Sequence, residues 1–401
     1  MRIVIAAPSY WPSQDGVTII TSYLAEGLAS RGHEVTVLTS AGNGGLQELP
    51  HQEIHGGVNI IRMRIYVQWP LVIKGRDSES TKEVYIRHIQ QEKPDALIVV
   101  CSQTWTLDWI LSDLKKITCA KIFYSHGYSA WKEKYPFGEQ IRRRNILGAW
   151  SLFKTKWYYD RLYQKIALFD RAIYLSEDNN SSLYAQIHGL INGRILKNAI
   201  DNRFFESEMQ HAYEEKETLR FLFVANYNEN KNQKMLIQAF ARADIDKSQL
   251  VLVGFEENDY SDMLKKLAEE ELKGQNQKEV IFQTHIGREQ VIDQYRVCDV
   301  FVSPSHSETY SIVAHEAGAT GMPIISTIVG IYSKMTGVYL VENEEQMKEA
   351  MEKLYYHPEE RRKRGEQIKG WISEQKCRIK DKIDWLENDL QNIVKEKQLS
   401  T

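Results

Sequence analysis

Two glutamates eight residues apart, Glu308 and Glu316, stand in the run Pro304-Ser305-His306-Ser307-Glu308-Thr309-Tyr310-Ser311-Ile312-Val313-Ala314-His315-Glu316. The run reads as a strand end, a polar turn and a short helix, stopped by Gly321-Met322-Pro323. One carboxylate then lies at the helix mouth and the other two turns inside. Each carboxylate oxygen accepts hydrogen bonds, so such a pair can hold a polyhydroxylated ligand. The unpaired amides of the helix start face an anion such as a phosphate. A cation is offered by Lys231, in the polar turn Asn226-Tyr227-Asn228-Glu229-Asn230-Lys231-Asn232-Gln233. The plain alternatives are two ordinary surface glutamates and a solvated lysine. His315-Glu316 would open a zinc-binding H-E-x-x-H only with histidine at 319, where Ala319 stands.

These groups need a scaffold. Apolar, Val/Ile-rich runs occur at residues 3–6, 35–38, 60–62, 96–100, 121–124, 172–175 and 195–196, and again at 220–224, 250–253, 280–282, 300–302, 323–325 and 338–340. They lack strict alternation, which marks strands buried on both faces. The segments between them have helical spacing, as at Ile20, Leu24 and Leu28. A strand–helix alternation in each half predicts two doubly wound α/β domains with ligands at the carboxyl ends of the strands. The expected division is 1–200, 201–375 and a last helix in 376–401 packing back on the first domain. The charged run 206–217 reads as an exposed connector.

The 401 residues suffice for two such domains, and 51 basic residues nearly balance 54 acidic ones. Global charge therefore does not suggest a nucleic-acid partner. The opening residues lack a secretion signal and no apolar run is long enough to span a bilayer, so a cytoplasmic location is expected. Cys101, Cys119, Cys298 and Cys377 are scattered, which implies reduced thiols and no zinc site.

The stretch around Glu308 and Glu316, between a Val-Ser-Pro-Ser strand end and Gly-Met-Pro-Ile-Ile, resembles the E-x7-E signature of the retaining glycosyltransferases of family 4, which have the GT-B fold of two Rossmann-like domains facing a cleft. The resemblance covers most of the chain, strongest over 300–330 and weakest over 43–90. It implies a hexosyltransferase using a nucleoside-diphosphate sugar, most commonly a UDP-sugar, an acceptor hydroxyl that the sequence does not identify, and no metal. By resemblance Glu316 accepts the ribose hydroxyls, Glu308 contacts the donor sugar, and the amides of Tyr310, Ser311 and Ile312 face the sugar or diphosphate. Lys231 matches a diphosphate-binding lysine. Asn226 falls where an arginine is usual, and asparagine brings no charge. Arg288 and Lys334 are candidates to supply it. His285 and Ile286 are expected to present backbone to the base. Thr309 and Ser311 stand where glycines are usual, and the loop after Val329-Gly330 is short.

In the first half, Gly16 is what remains of a Gly-Gly turn that in relatives touches donor phosphate or acceptor. It also fits a tight turn before a helix. No GxGxxG is present, so a nicotinamide cofactor is not indicated. His126, after the strand run 121–124, is expected by resemblance to face the donor sugar; a strand-end histidine bonded to backbone is the alternative. No general base is required. Residues 140–169 mix Arg142, Arg143, Arg144, Lys154, Lys156, Arg161 and Lys165 with Trp150, Phe153, Trp157, Tyr158, Tyr159 and Tyr163. Ile146, Trp150, Phe153 and Trp157 share a helical stripe, which either faces the core or rests on an anionic membrane. Asp244-Ile245-Asp246 reads as a solvated loop, not a metal motif. Two further functions stay open: a non-catalytic GT-B subunit supporting a partner transferase, and a GT-B nucleotide-sugar epimerase.

Overall fold

The computed structural model describes residues 1–13, 15–41, 49–68, 72–74, 78–127, 146–177, 179–206, 217–308 and 310–400. It divides into two compact units, Met1–Ala199 with Ile379–Thr401, and Ile200–Arg378.

The first unit holds β1 (Arg2–Ala6), α1 (Gly16–Ser30), β2 (Glu34–Ser40), β3 (Gln52–His55), β4 (Val58–Met63), β5 (Tyr66–Gln68), β6 (Val72–Lys74), α2 (Ser78–Glu92), β7 (Ala96–Val100), α3 (Trp105–Asp108), β8 (Ala120–Tyr124), α4 (Ile146–Ile166), β9 (Arg171–Tyr174), α5 (Asn180–Ile187) and β10 (Gly193–Ile195). Its sheet runs β10-β9-β8-β7-β1-β2-β4-β3. Only β3 is antiparallel to its neighbour, and β5 and β6 pair as a separate hairpin. The apolar runs of the first half became the parallel strands. Missed were β3, β5 and β6. The residues of β3 are exposed or half-buried, as suits a polar edge strand with little apolar signal.

The second unit holds α6 (Asn202–Glu206), β11 (Leu219–Val224), α7 (Gln233–Arg242), β12 (Ser248–Val253), α8 (Asp259–Glu271), β13 (Lys278–Gln283), α9 (Arg288–Val297), β14 (Val300–Ser303), α10 (Ile312–Thr320), β15 (Ile324–Thr327), β16 (Tyr339–Val341), α11 (Glu344–Tyr356) and α12 (Pro358–Glu374). All its strands are parallel, in the order β13-β12-β11-β14-β15-β16. The chain winds one way from β11 to β13 and the other way from β14 to β16. The switch point therefore lies between β11 and β14, where loops diverge and leave a crevice. Below it, Phe221, Phe223, Phe240, Tyr295 and Phe301 form a fully buried core. The connector predicted at 206–217 falls mostly on residues outside those described.

Helix α13 (Ile379–Ser400) belongs to the first unit and packs on α1. Gly27 makes the contact possible: a Cβ there would lie 1.9 Å from Cδ1 of Ile383. Arg31 bonds Asp384 and Glu387, and Arg171 Nε donates to Asp389 over 2.9 Å. Helix α4 turns the aromatic stripe away from the core. Its core face is Tyr159, Leu162, Tyr163 and Ile166, while Trp150, Phe153 and Trp157 point outward. The segment 140–145 lies outside the described residues.

Candidate functional site

The two loops at the second unit's switch point are bound to each other. After β11 the chain makes a 3₁₀ turn, Glu229–Lys231, capped by Asn228, whose side chain accepts from the Lys231 amide over 3.2 Å. Asn232 then takes a left-handed conformation (φ 51°) that opens α7, a backbone region asparagine tolerates. These asparagines reach the loop after β14. Asn230 Nδ2 donates to the Ser307 carbonyl over 3.0 Å, the His306 amide donates to the Asn230 carbonyl over 2.8 Å, and Asn232 Nδ2 donates to the Pro304 carbonyl over 3.3 Å.

The stitching brings Lys231 Nζ to 2.6 Å from Glu308 Oε1. The same oxygen accepts from Ser305 Oγ over 2.9 Å, and the Ser305 carbonyl accepts from Thr327 Oγ1 over 2.6 Å. The side chain of Glu308 is 9% exposed and that of Lys231 23%, so the pair is partly shielded from water. Gly330 (φ 50°) closes over it; a Cβ there would stand 2.4 Å from the Glu308 carbonyl oxygen. Thus two residues from loops 77 positions apart form one cation–carboxylate pair beside a helix start.

Helix α10 opens at Ile312 with no side-chain cap. Ser311, at φ 52°, turns its hydroxyl to Tyr332 at 2.9 Å instead. By contrast α8 and α11 are capped by Asn258 and Asn343. The first amides of α10 are therefore not consumed by a protein side chain of their own cap, which suits an anion. The Tyr310 ring is buried and stacks on His315 at 4.2 Å, so its side chain belongs to the core of the unit. Thr309 lies outside the described residues.

Glu316 sits in the second turn of α10, shallower than the spacing from Glu308 suggests, and is 1% exposed. One oxygen is bonded by Arg288 Nη2, the other accepts from the Tyr295 hydroxyl over 3.0 Å. Burial and the adjacent carboxylate push the Tyr295 phenol far above its ordinary range, so it stays a donor. Arg288, the first residue of α9, also lies over the Phe204 ring at 5.1 Å. The structure thus places Arg288 on Glu316, whereas it was a candidate for the diphosphate. Its position after Gly287 gave no hint of that partner, and Tyr295 was overlooked because it reads as a core residue.

The remaining second-unit candidates are more dispersed. Asn226 is exposed and accepts from Gln233 Nε2 through its carbonyl at 3.0 Å. Lys334 is exposed in the 3₁₀ turn Gly330–Lys334. His285 (φ 56°) is exposed after the edge strand β13, its amide donating to the Phe255 carbonyl over 3.1 Å. Ile286 is half-buried against the core. Asp244 and Asp246 are exposed in the turn entering β12, at the amino end of the sheet.

In the first unit Gly16 begins α1, but the helix start is already occupied. Asp15 caps it, Oδ1 accepting from the Val17 and Thr18 amides at 3.0 Å each. Oδ2 gathers Ser9, Ser13 and Thr18 hydroxyls at 2.9, 3.1 and 2.7 Å. An anion there would meet a carboxylate. An aspartate directly before a helix is the sequence signal of such a cap.

His126 follows β8, its ring 4.6 Å from that of Tyr124, with Nε2 buried and unpaired among the described residues. Burial lowers its pKa to about 4, against the opposing pull of Asp15. The neutral imidazole therefore persists well below the ordinary value of 6.5. Above that value neither folded nor unfolded chain is charged at this residue. As pH falls toward the folded value, only the unfolded chain takes up the proton, so stability is lost across that window. Replacing His126 by Gln should narrow the fall in melting temperature between about pH 7 and pH 5. An equal fall in both proteins would refute the burial of this imidazole.

Comparison with known proteins agrees with this architecture. The model of the glycosyltransferase family 4 domain matches residues 14–187. That of the glycosyl transferases group 1 matches residues 205–371, which hold both loops and both glutamates. The chain belongs to the group 1, family 4 glycosyltransferases. An uncharacterized glycosyltransferase of Methanocaldococcus jannaschii is 24% identical over 353 residues, 82% of this chain and 81% of that one. D-inositol 3-phosphate glycosyltransferase of Streptomyces griseus is 43% identical over only 51 residues, 13% of this chain and 11% of that protein. Among solved structures, sucrose-phosphate synthase from Thermosynechococcus elongatus superposes with a TM-score of 0.75 at 17% identity, covering 98% of each chain. The Anabaena protein HepE, solved with UDP, gives 0.67 at 12% identity, covering 98% of this chain and 100% of its own. These likenesses show the GT-B fold. A glycosyltransferase is an enzyme that moves a sugar from a donor to an acceptor.

Proposed function

We propose that this glycosyltransferase moves a hexose from a nucleoside-diphosphate sugar, a UDP-sugar first among them, to an acceptor hydroxyl with retention of anomeric configuration and without a metal. The observation that carries the reading is the Lys231–Glu308 pair beside the uncapped start of α10. As the glycosidic bond breaks, negative charge grows on the diphosphate. Lys231 and the α10 amides meet it, and Glu308 accepts from sugar hydroxyls. Glu316, held by Arg288 and Tyr295, retains lone pairs for ribose hydroxyls. The acceptor oxygen bonds to the anomeric carbon on the face the diphosphate leaves, and the departing phosphate takes the acceptor proton. That route asks for no enzyme base. His126 is assigned to the donor sugar by resemblance. UDP in HepE and UDP-2-fluoro glucose in the Escherichia coli trehalose-6-phosphate structure support the choice of base. Among the described residues no group of three His, Cys, Asp or Glu is placed to hold a metal ion.

Thermal-shift measurement against nucleotide sugars tests the donor. Ligand at about 100 times its Kd should add close to 3 kcal/mol of apparent stability. No shift with any UDP-, GDP- or ADP-sugar would refute the assignment. Turnover with EDTA present tests metal independence. The neutral Asn226, where the family resemblance implies an arginine, favours one rival, a non-catalytic subunit, which a donor-hydrolysis assay on the isolated chain separates.

A further inference from the structure

The outward face of α4 is unusual for a surface helix. Trp150, Phe153 and Trp157 are 56%, 52% and 52% exposed. Their spacing places them on one stripe, opposite the buried Tyr159, Leu162, Tyr163 and Ile166. The Trp150 and Phe153 rings stack at 5.8 Å, so the surface is continuous rather than scattered. Cations flank it: Lys154 Nζ lies 5.4 Å from the Trp150 ring, and Arg161 Cζ 4.1 Å from the Trp157 ring. Lys156 and Lys165 are also exposed. The helix has one acid, Asp160, and it is engaged by Lys156, Tyr184 and His188. The end of α5 and the turn after it, joined to α4 through those Asp160 contacts, add Ile187 and Ile191, 76% and 93% exposed.

Large aromatic rings bordered by lysine and arginine suit the boundary between lipid headgroups and acyl chains. The rings enter the apolar edge while the cations meet phosphates. A second copy of this chain fits less well, because a two-fold pairing sets the basic face against itself. We infer that α4 and the turn after α5 dock on an anionic phospholipid bilayer. Docking would bring the enzyme to acceptors held in that bilayer. The inference is independent of the transfer reaction, and its failure leaves the donor site untouched.

The test is co-sedimentation of the full chain with vesicles of phosphatidylcholine alone or with phosphatidylglycerol added. The chain should bind anionic vesicles about tenfold or more better than neutral ones, and salt should release it. A chain carrying Trp150→Ser, Phe153→Ser and Trp157→Ser together should melt like the wild type and lose vesicle binding about tenfold or more. Lys154→Glu with Arg161→Glu should do the same, which keeps the test open if the first variant misfolds. Three results would overturn the inference: no binding of the wild type to anionic vesicles, wild-type binding in a folded variant of either kind, or a wild-type dimer that the aromatic variant dissociates while neither binds vesicles.

Discussion

Glu316→Gln should fold like the wild type yet lose about tenfold to a hundredfold in kcat/KM, the scale of losing one charge-assisted hydrogen bond to the bound donor. Glutamine fills the same volume in α10 and leaves one oxygen to accept from Arg288 or Tyr295. It cannot accept from both of them and from a ribose hydroxyl as well, because half of its former acceptor capacity becomes a donor. Glu316→Ala is the less informative variant. It strips a 1%-exposed carboxylate from the Arg288 guanidinium, leaving a cation without its partner. Breaking a buried pair costs about 3–5 kcal/mol, and the 24% exposure of the Arg288 side chain moves the expectation to the lower end. Lost turnover in the alanine variant would then mix unfolding with lost contacts. Adding Arg288→Met to it should recover part of the melting temperature and none of the turnover. Steady-state rates beside melting curves decide the matter. A glutamine variant within about twofold of the wild-type kcat/KM would remove Glu316 from the site.

Lys231→Ala should lower turnover by about two to three orders of magnitude and weaken nucleoside-diphosphate binding, with a modest fall in melting temperature. The reasoning is one of charge count. By family resemblance an arginine is usual where Asn226 stands, and Arg288 is committed to Glu316. Lys231 is then the cation that the switch-point loops themselves offer the diphosphate. The Glu308 carboxylate left behind is 9% exposed and keeps only the Ser305 bond, so a loss of about 1–3 kcal/mol is expected, the cost of leaving a buried polar group under-satisfied. Lys231→Arg should retain part of the rate, because charge survives while the 2.6 Å contact to Glu308 changes shape. Asn226→Arg should tighten diphosphate binding in the wild-type background. Calorimetric titration with UDP, beside initial rates, reads both effects. Native turnover in Lys231→Ala would mean that the diphosphate is met elsewhere.

Local chemistry made much of this protein readable in advance. Unalternating Val/Ile runs became parallel strands, since a strand covered on both faces has no polar side to show. The turn before α10 and the stop at Gly321 followed from residues adjacent in the chain. Lys231 was legible because its turn sits between a strand run and a helix run. The partnership of Lys231 with Glu308 was not. It depends on asparagines 230 and 232 reaching another loop, and nothing local in an asparagine says which carbonyl it will find.

By itself, then, the amino-acid order determined the parallel strands, the two α/β halves and a set of candidate residues whose types suit a phosphorylated sugar. Each of these follows from side-chain period, turn preference and ionisable type, all short-range properties. Tertiary structure alone decided who answers whom. Arg288 went to Glu316, Asp15 filled the start of α1, and α4 buried its tyrosines while turning its tryptophans outward. Both faces of α4 are aromatic, and the periodicity that marked the stripe of Trp150, Phe153 and Trp157 did not say whether it would be covered. Packing against distant strands made that choice.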